Sequence, residues 1–413
     1  LLLSGTMVRR LAKDILAVPT SSVSVERQRN LLQRIRGYVT RVAARLGLTA
    51  QDASLWGLLL VLVFLSVRRL RAPSRQQLEP GLDMMPRKPK PKLPAGLDCE
   101  LDRQLGDGAF AVVWLASQKG EQRAIKFIHT DVQKEEDHLG RDVAEVECGK
   151  RLQGCELVVQ LLDVFHETGV HTLVLEYLPG GELFEHMCKV HYYTEDCARR
   201  CFRRIVLGVN DMHLRGVVHR DLKPENLLLA HRVDKARPVS EVPVKIADLG
   251  LAYLEENPWA EKSLLGTPGF LAPEMARHEL HTRACDVFSL GSILFNMLTG
   301  DLPWEEKIID SLQYRNHSDD DFLALPELQL DTWTHLSADA QSLVLRMLRQ
   351  NPKERPTTTD ILSDTWLQVS DDSPRHLKSQ GRLSKQMARK RMKKVTCAAR
   401  AIGRMATLAK TPK

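Results

Sequence analysis

Charge falls along this chain in three blocks, and the blocks limit which part of it can form a large globule. Residues 1–97 carry 17 Lys/Arg against 5 Asp/Glu, a balance of +12. Residues 373–413 carry 13 Lys/Arg and no acid, a balance of +13. The middle, 98–372, holds the other 29 basic and 47 acidic residues, or −18, so the mild total of +7 hides an acidic body between two basic arms. Such a body disfavours nucleic acid and attracts basic peptides, its own tail included. With 43% hydrophobic and 27% charged residues, the composition is that of a soluble globular protein, and 413 residues suffice for a large core.

The arms divide further. Leu1 in place of a methionine leaves two readings, a fragment or a start at Met7. Within 1–53, Leu31, Leu32, Ile35, Val39, Val42 and Leu46 recur at helical spacing among arginines, which predicts a basic amphipathic helix. Its poverty in acids also fits an organelle transit sequence. Residues 54–71 contain an apolar run, Leu55 to Val67, followed by Arg68-Arg69-Leu70-Arg71. A membrane span needs about 17–25 apolar residues, so length argues against an anchor while composition argues for one. The other reading of 55–71 is a buried or interfacial apolar helix. Residues 72–96, with six prolines among Arg and Lys, read as an extended linker. A folded domain is expected over 97–369 and a basic tail over 370–413. The 8 cysteines form no CxxC and no regular framework, which favours reduced thiols over zinc or disulfides.

Inside the middle block, Leu105-Gly106-Asp107-Gly108-Ala109-Phe110-Ala111-Val112-Val113-Trp114-Leu115 reads as strand, glycine turn, strand. Glycines let a backbone approach phosphates closely and offer amide hydrogens to them. By itself this turn is weak evidence, because ordinary hairpins look the same. Ala124-Ile125-Lys126-Phe127-Ile128 strengthens it, since a lone charge in an apolar strand costs desolvation unless an anion meets it. Glu145 and Glu147 are both candidate partners on the following helix.

The most specific stretch is Val217-Val218-His219-Arg220-Asp221-Leu222-Lys223-Pro224-Glu225-Asn226-Leu227-Leu228-Leu229, followed downstream by Asp248-Leu249-Gly250. From these residues the chain resembles the protein kinase family, and the resemblance runs from about Leu101 to Trp366. It implies an α+β, bilobal fold: a small antiparallel sheet with one main helix, then a larger, mostly helical lobe, with ATP and Mg²⁺ in the cleft. It further implies that Asp221 orients the substrate hydroxyl and accepts its proton, that Lys223 neutralises the transferring phosphoryl group, and that Lys126 holds the α/β-phosphates. Asn226 and Asp248 are the implied Mg²⁺ ligands. The span Leu105 to Val113, with Ala111 in place of the third glycine of the family pattern, would cover the nucleotide together with Ala124. Leu175 would be the gatekeeper, Glu176 and Leu178 the readers of the adenine edge, and Glu145, Glu182, Glu225 and Leu228 the rest of the nucleotide set. Lys223-Pro224-Glu225 is the serine/threonine version of the loop.

The resemblance extends to regulation and substrate. Ser263 stands at the spacing of the family's activation phosphosite, where Arg220 would pair with a phosphate. Thr267 resembles the threonine that bonds the catalytic Asp and Lys. Asp286 matches the aspartate that anchors the catalytic loop, and Arg355 the partner of Glu274. Glu182 and Glu225 also match acids that face a peptide, which with the −18 body implies basic residues before the acceptor Ser/Thr. Asn296 stands where the cyclic-AMP-dependent kinase has a second arginine-selecting glutamate, which argues against a doubly arginine-specific site. Leu251 resembles the residue that favours Ser over Thr.

Pro179-Gly180-Gly181-Glu182-Leu183-Phe184 and the run Gly266 to Glu274 resemble the calcium/calmodulin-dependent kinase group. In the tail, Met392, Val395, Ala399, Ile402 and Met405 fall on one helical face among basic residues. Met392 and Met405 are thirteen apart, a separation that lets two lobes of calmodulin each grip one anchor. Met392, Val395, Ile402 and Met405 are the expected calmodulin anchors of an autoinhibitory tail. The competing readings are a polybasic membrane-surface helix, a nuclear-localisation cluster and a solvated tail. Dependence on cytosolic ATP implies a cytoplasmic catalytic body, also if 55–71 touches a membrane. A catalytically silent scaffold would require loss of Lys126, Asp221, Asn226 or Asp248, and all four are present.

Overall fold

The computed structural model describes residues 90–107, 111–129, 144–189, 194–233, 239–256, 266–304, 318, 325–369, 376–377, 379 and 382–384. The expected helix in 1–53, the apolar segment 54–71, Gly108, Ala109, Phe110, Ser263 and the anchors Met392, Val395, Ile402 and Met405 lie outside the described residues.

The smaller lobe is a five-stranded antiparallel sheet in the order β1-β2-β3-β5-β4. Its strands are β1 (Glu100–Asp107), β2 (Ala111–Gln118), β3 (Glu121–His129), β4 (Leu161–Glu167) and β5 (Val170–Glu176). Successive side chains of a strand point to opposite faces, and β3 uses this to sort charge from core. Ile125 and Phe127 are fully buried with Trp114, Val112, Leu101 and Leu97 on one face. Ile128 packs with Val146, Leu161 and Leu173 on the other, the face that Lys126 shares by alternation. Val146 and Glu145 belong to helix α1, which runs over 144–151. The chain before β1 also packs here: Leu93 and Cys99 border the Trp114 cluster, and Ala95 N donates to Glu167 Oε1 at 3.0 Å.

The larger lobe is helical. Helix α2 (Leu183–Lys189) is followed by α3 (Glu195–Leu214), whose first turn is capped by the Thr194 hydroxyl accepting from Cys197 N. Two short ladders then frame the catalytic loop: β6 (Val217–Val218) pairs with β9 (Tyr253–Leu254), and β7 (Leu227–Leu229) with β8 (Val244–Ile246). After α4 (Pro273–Ala276), helix α5 (Arg283–Thr299) is apolar nearly all round and buried from Cys285 to Thr299, so it forms the lobe's axis. Helices α6 (Asp331–Thr334), α7 (Ala338–Met347), α8 (Thr358–Leu362) and α9 (Thr365–Gln368) follow among the described residues. This is the two-lobed α+β arrangement expected from the motifs.

A buried ion pair joins the ends of this lobe. Arg355 Nη1 and Nη2 donate to Glu274 Oε1 and Oε2 at 2.7 and 2.8 Å, with both side chains almost wholly buried. The guanidinium also lies 5.0 Å from the Phe288 ring centroid. Beyond α9, the described part of the tail lies on the lobe. His376 bridges to Thr194, Leu383 is buried, and Arg382 pairs with Asp301. Gly300 ends α5 with φ 80°, and a Cβ there would lie 2.4 Å from the Ser379 carbonyl oxygen, so the tail can approach only a glycine. No described cysteine is in a disulfide. Among the described residues, no helix is long and apolar enough to cross a membrane.

Removing one partner of a buried pair leaves the other charged and unmatched. Glu274→Ala is expected to lower the unfolding free energy by about 3–5 kcal/mol, measured by urea denaturation. A change below about 1 kcal/mol would show that the pair does not hold these segments together.

Candidate active site

The cleft is built from groups that reach it from both lobes. Lys126 Nζ, on β3, donates to Glu145 Oε1 at 2.7 Å and to Asp248 Oδ1 at 2.9 Å. Of the two candidate glutamates, Glu145 is therefore the one that meets Lys126. Burial works against the lysine's charge, but the two carboxylates outweigh it and hold its pKa above the ordinary lysine range. Burial likewise opposes ionisation of Asp248, yet Lys126, with His219 and Lys223 beyond it, pulls that carboxyl down to about 2. Asp248 has φ 63° and a side chain 48% exposed, so an ionised carboxylate is held open at the end of its ion pair.

The catalytic loop hangs from Asp286 at the start of α5. This wholly buried carboxylate accepts from His219 N at 2.9 Å, Arg220 N at 2.8 Å and His213 Nε2 at 2.9 Å. Burial opposes its charge, and the bonds from His213 and His219 keep its pKa below the ordinary value. Asp221 follows directly. The Thr267 hydroxyl donates to Asp221 Oδ1 at 2.7 Å, and Lys223 Nζ donates to Asp221 Oδ2 at 2.5 Å and to Thr267 Oγ1 at 3.0 Å. Asn226 Nδ2 donates to the Asp221 carbonyl at 2.9 Å, which orients the amide.

The other expected residues among the described ones lie in the sheet of the smaller lobe and on the segments after β5 and after Asp221. Gly106 pairs with Val113, Asp107 with Val112, and Ala124 with Leu175, all within the sheet. Ala111 pairs with Ile128. Leu105 is half-buried in β1. Glu176 ends β5, Leu178 is buried, and Glu182 bridges to Leu228, which joins the segment after β5 to the strand after the catalytic loop. Glu225 is half-buried beside Asn226. Asn296 is buried in α5 and its Nδ2 donates to the Asp301 carbonyl at 2.9 Å, a structural use.

Two contacts escaped the motif reading. Lys245 Nζ reaches both oxygens of Glu176 at 2.7 and 2.8 Å, and Glu176 Oε2 accepts from Gln160 N at 3.2 Å. Lys245 carries the same signal as Lys126, a lone charge in the apolar strand Val244–Ile246, which demands a partner. His213 as a donor to Asp286 has no comparable signal, because 73 residues separate the two in sequence.

The donor set fits a nucleotide with magnesium. Magnesium takes few protein oxygens and keeps phosphate and water ligands, and the ionised, half-exposed Asp248 with the Asn226 amide offers hard oxygen of that kind. Among the described residues, no group of three or more His, Cys, Asp or Glu forms an all-protein cage.

Comparison with known proteins adds the following. Residues 99–367 match the protein kinase domain. The calcium/calmodulin-dependent protein kinase type II subunit delta of Oryctolagus cuniculus is 36% identical over 272 residues, 65% of this chain and 48% of that protein. The type IV enzyme of Mus musculus is 32% identical over 277 residues, 66% and 55% of the two chains. That of Homo sapiens is 32% identical over 271 residues, 65% and 54%. The chain thus spans about half the length of the curated relatives it matches.

The lowered pKa of Asp248 has a sign. Its contribution to stability is complete above the unfolded carboxylate value of about 3.9 and is lost as pH falls from there toward 2. Between pH 5 and about 2 the melting temperature should therefore fall less steeply in Asp248→Asn than in the unaltered chain. Identical slopes would show that the carboxylate is not held by Lys126.

Proposed function

This chain belongs to the protein kinase family, and from that premise we propose that it is an ATP- and Mg²⁺-dependent serine/threonine kinase acting on basic sequences and controlled by its own basic tail. The observation that carries the reading is the locked set Asp221–Thr267–Lys223 next to Asn226 and the Lys126–Glu145–Asp248 chain.

Bound ATP-Mg²⁺ supplies the γ-phosphoryl group and a cation that neutralises its oxygens. Lys126, braced by Glu145, presents a fixed ammonium to phosphate oxygens. Asp248 and Asn226 supply the metal's protein oxygens. Asp221, its carboxylate aimed by Thr267, orients the acceptor hydroxyl and receives its proton, while Lys223 balances charge on the transferring group. Loss of the base is expected to lower kcat about 100- to 10,000-fold in Asp221→Asn, with the ATP KM little changed. Unchanged turnover would remove Asp221 from the mechanism.

Glu182, Glu225 and the −18 body support basic residues before the acceptor. The tail supports the regulatory half of the proposal. Arg382 pairs with Asp301 and Leu383 is buried on the larger lobe, next in sequence to the basic stretch. Calmodulin, gripping Met392, Val395, Ile402 and Met405, would draw it away. Phosphorylation of an Arg-x-x-Ser peptide is expected to rise severalfold with Ca²⁺-calmodulin, and a protein ending at residue 369 should reach that rate without it. Equal rates in all three conditions would refute tail control and leave the kinase reading intact; no transfer in any would refute the kinase.

A further inference from the structure

Arg220 precedes the catalytic-loop aspartate, and the motif reading offered it a phosphate on Ser263. The structure engages its guanidinium with other groups. Arg220 Nε donates to the Leu251 carbonyl at 2.7 Å, and its Cζ lies 4.7 Å from the centroid of the Tyr253 ring. Both side chains are buried, which strengthens attraction between a cation and a ring face. Tyr253 is itself fixed twice. Its backbone pairs with Val218 across β6 and β9, and its hydroxyl donates to the His281 carbonyl at 2.6 Å. Burial raises the phenol's pKa above its ordinary value, so it stays protonated as a donor.

These contacts form a continuous brace. Asp286 holds the Arg220 backbone N–H at 2.8 Å, the Arg220 side chain holds β9 just beyond Asp248, and Tyr253 ties β9 to the chain beyond α4. A phosphate bridging the catalytic loop to the activation segment would make the same connection. The strand offers no second cation for one: from Asp248 to Glu256 there is no Lys or Arg, and Glu255 and Glu256 add negative charge. Those two acids are paired with Arg283 and Arg151.

We propose that Tyr253 is a positioning residue that takes the place of an activation-segment phosphate at Arg220, so that Asp221 is held in its working geometry without phosphorylation of the segment. This rests on the kinase reading given above.

The test uses the full chain with Ca²⁺-calmodulin present, dephosphorylated by a broad-specificity phosphatase and shown phosphate-free by intact mass before and after a short assay on the basic peptide. Its kcat should stay within about two-fold of the untreated chain. Tyr253→Leu keeps an apolar side chain on β9 but removes ring and hydroxyl. Its kcat should fall about ten-fold or more with the ATP KM unchanged, at a melting temperature that certifies folding. Tyr253→Phe, which keeps the ring, should recover most of the loss. A dephosphorylated chain that is inactive beside an active phosphorylated one overturns the proposal alone. So does a folded Tyr253→Leu with unaltered kcat, or a Tyr253→Phe no better than Leu. A chain inactive in both phosphorylation states overturns the kinase reading and this proposal with it.

Discussion

The carboxylate of Asp286 is the constraint on which the catalytic half of the molecule depends. It is wholly buried, and a buried charge is tolerated only where donors replace its water. Two of its donors are consecutive backbone amides, His219 and Arg220, so satisfying the charge dictates the path of the loop that presents Asp221. Another, His213, brings in the end of α3. One charge at the head of a buried helix thus joins three segments, and Arg220 can hold φ 65° because its amide is fixed there.

The cleft repeats the principle with the signs reversed. Lys126 is an ammonium in an apolar strand, and its neutralisation by Glu145 and Asp248 links the sheet, helix α1 and the segment that opens after β8. The pair with Asp248 is the more open of the two, because that carboxylate is half-exposed while Glu145 is buried. The Lys245–Glu176 pair, bound also by Gln160 N, gives the end of β5 a tie to β8. Charged groups therefore connect the lobes where an apolar core would leave no surface for a polar ligand.

Much of this was legible in sequence for a physical reason. The proposed chemistry needs Asp221, Lys223 and Asn226 on one short loop, so they appear as one contiguous string. The lone charge of Lys126 in the apolar run Ala124 to Ile128 announced a site, because burying it requires an anion. What periodicity could not convey was contact between distant residues: which glutamate meets Lys126, that His213 meets Asp286, and that Arg220 rests on Tyr253. In the string alone Arg220 looked like a cation awaiting a phosphate; packed, it lies against a ring and a carbonyl.

The sequence by itself determined the two-lobed fold, the proposed reacting groups and the segregation of charge into an acidic body with basic arms. These depend on residue type and local order. The tertiary structure alone decided the partners: Glu145 for Lys126, His213 for Asp286, Glu176 for Lys245, Tyr253 for Arg220, and Asp301 with Gly300 for the start of the tail. A charge in the sequence states only that a partner is required; which group answers is settled when folding brings distant segments within bonding distance and removes the water between them.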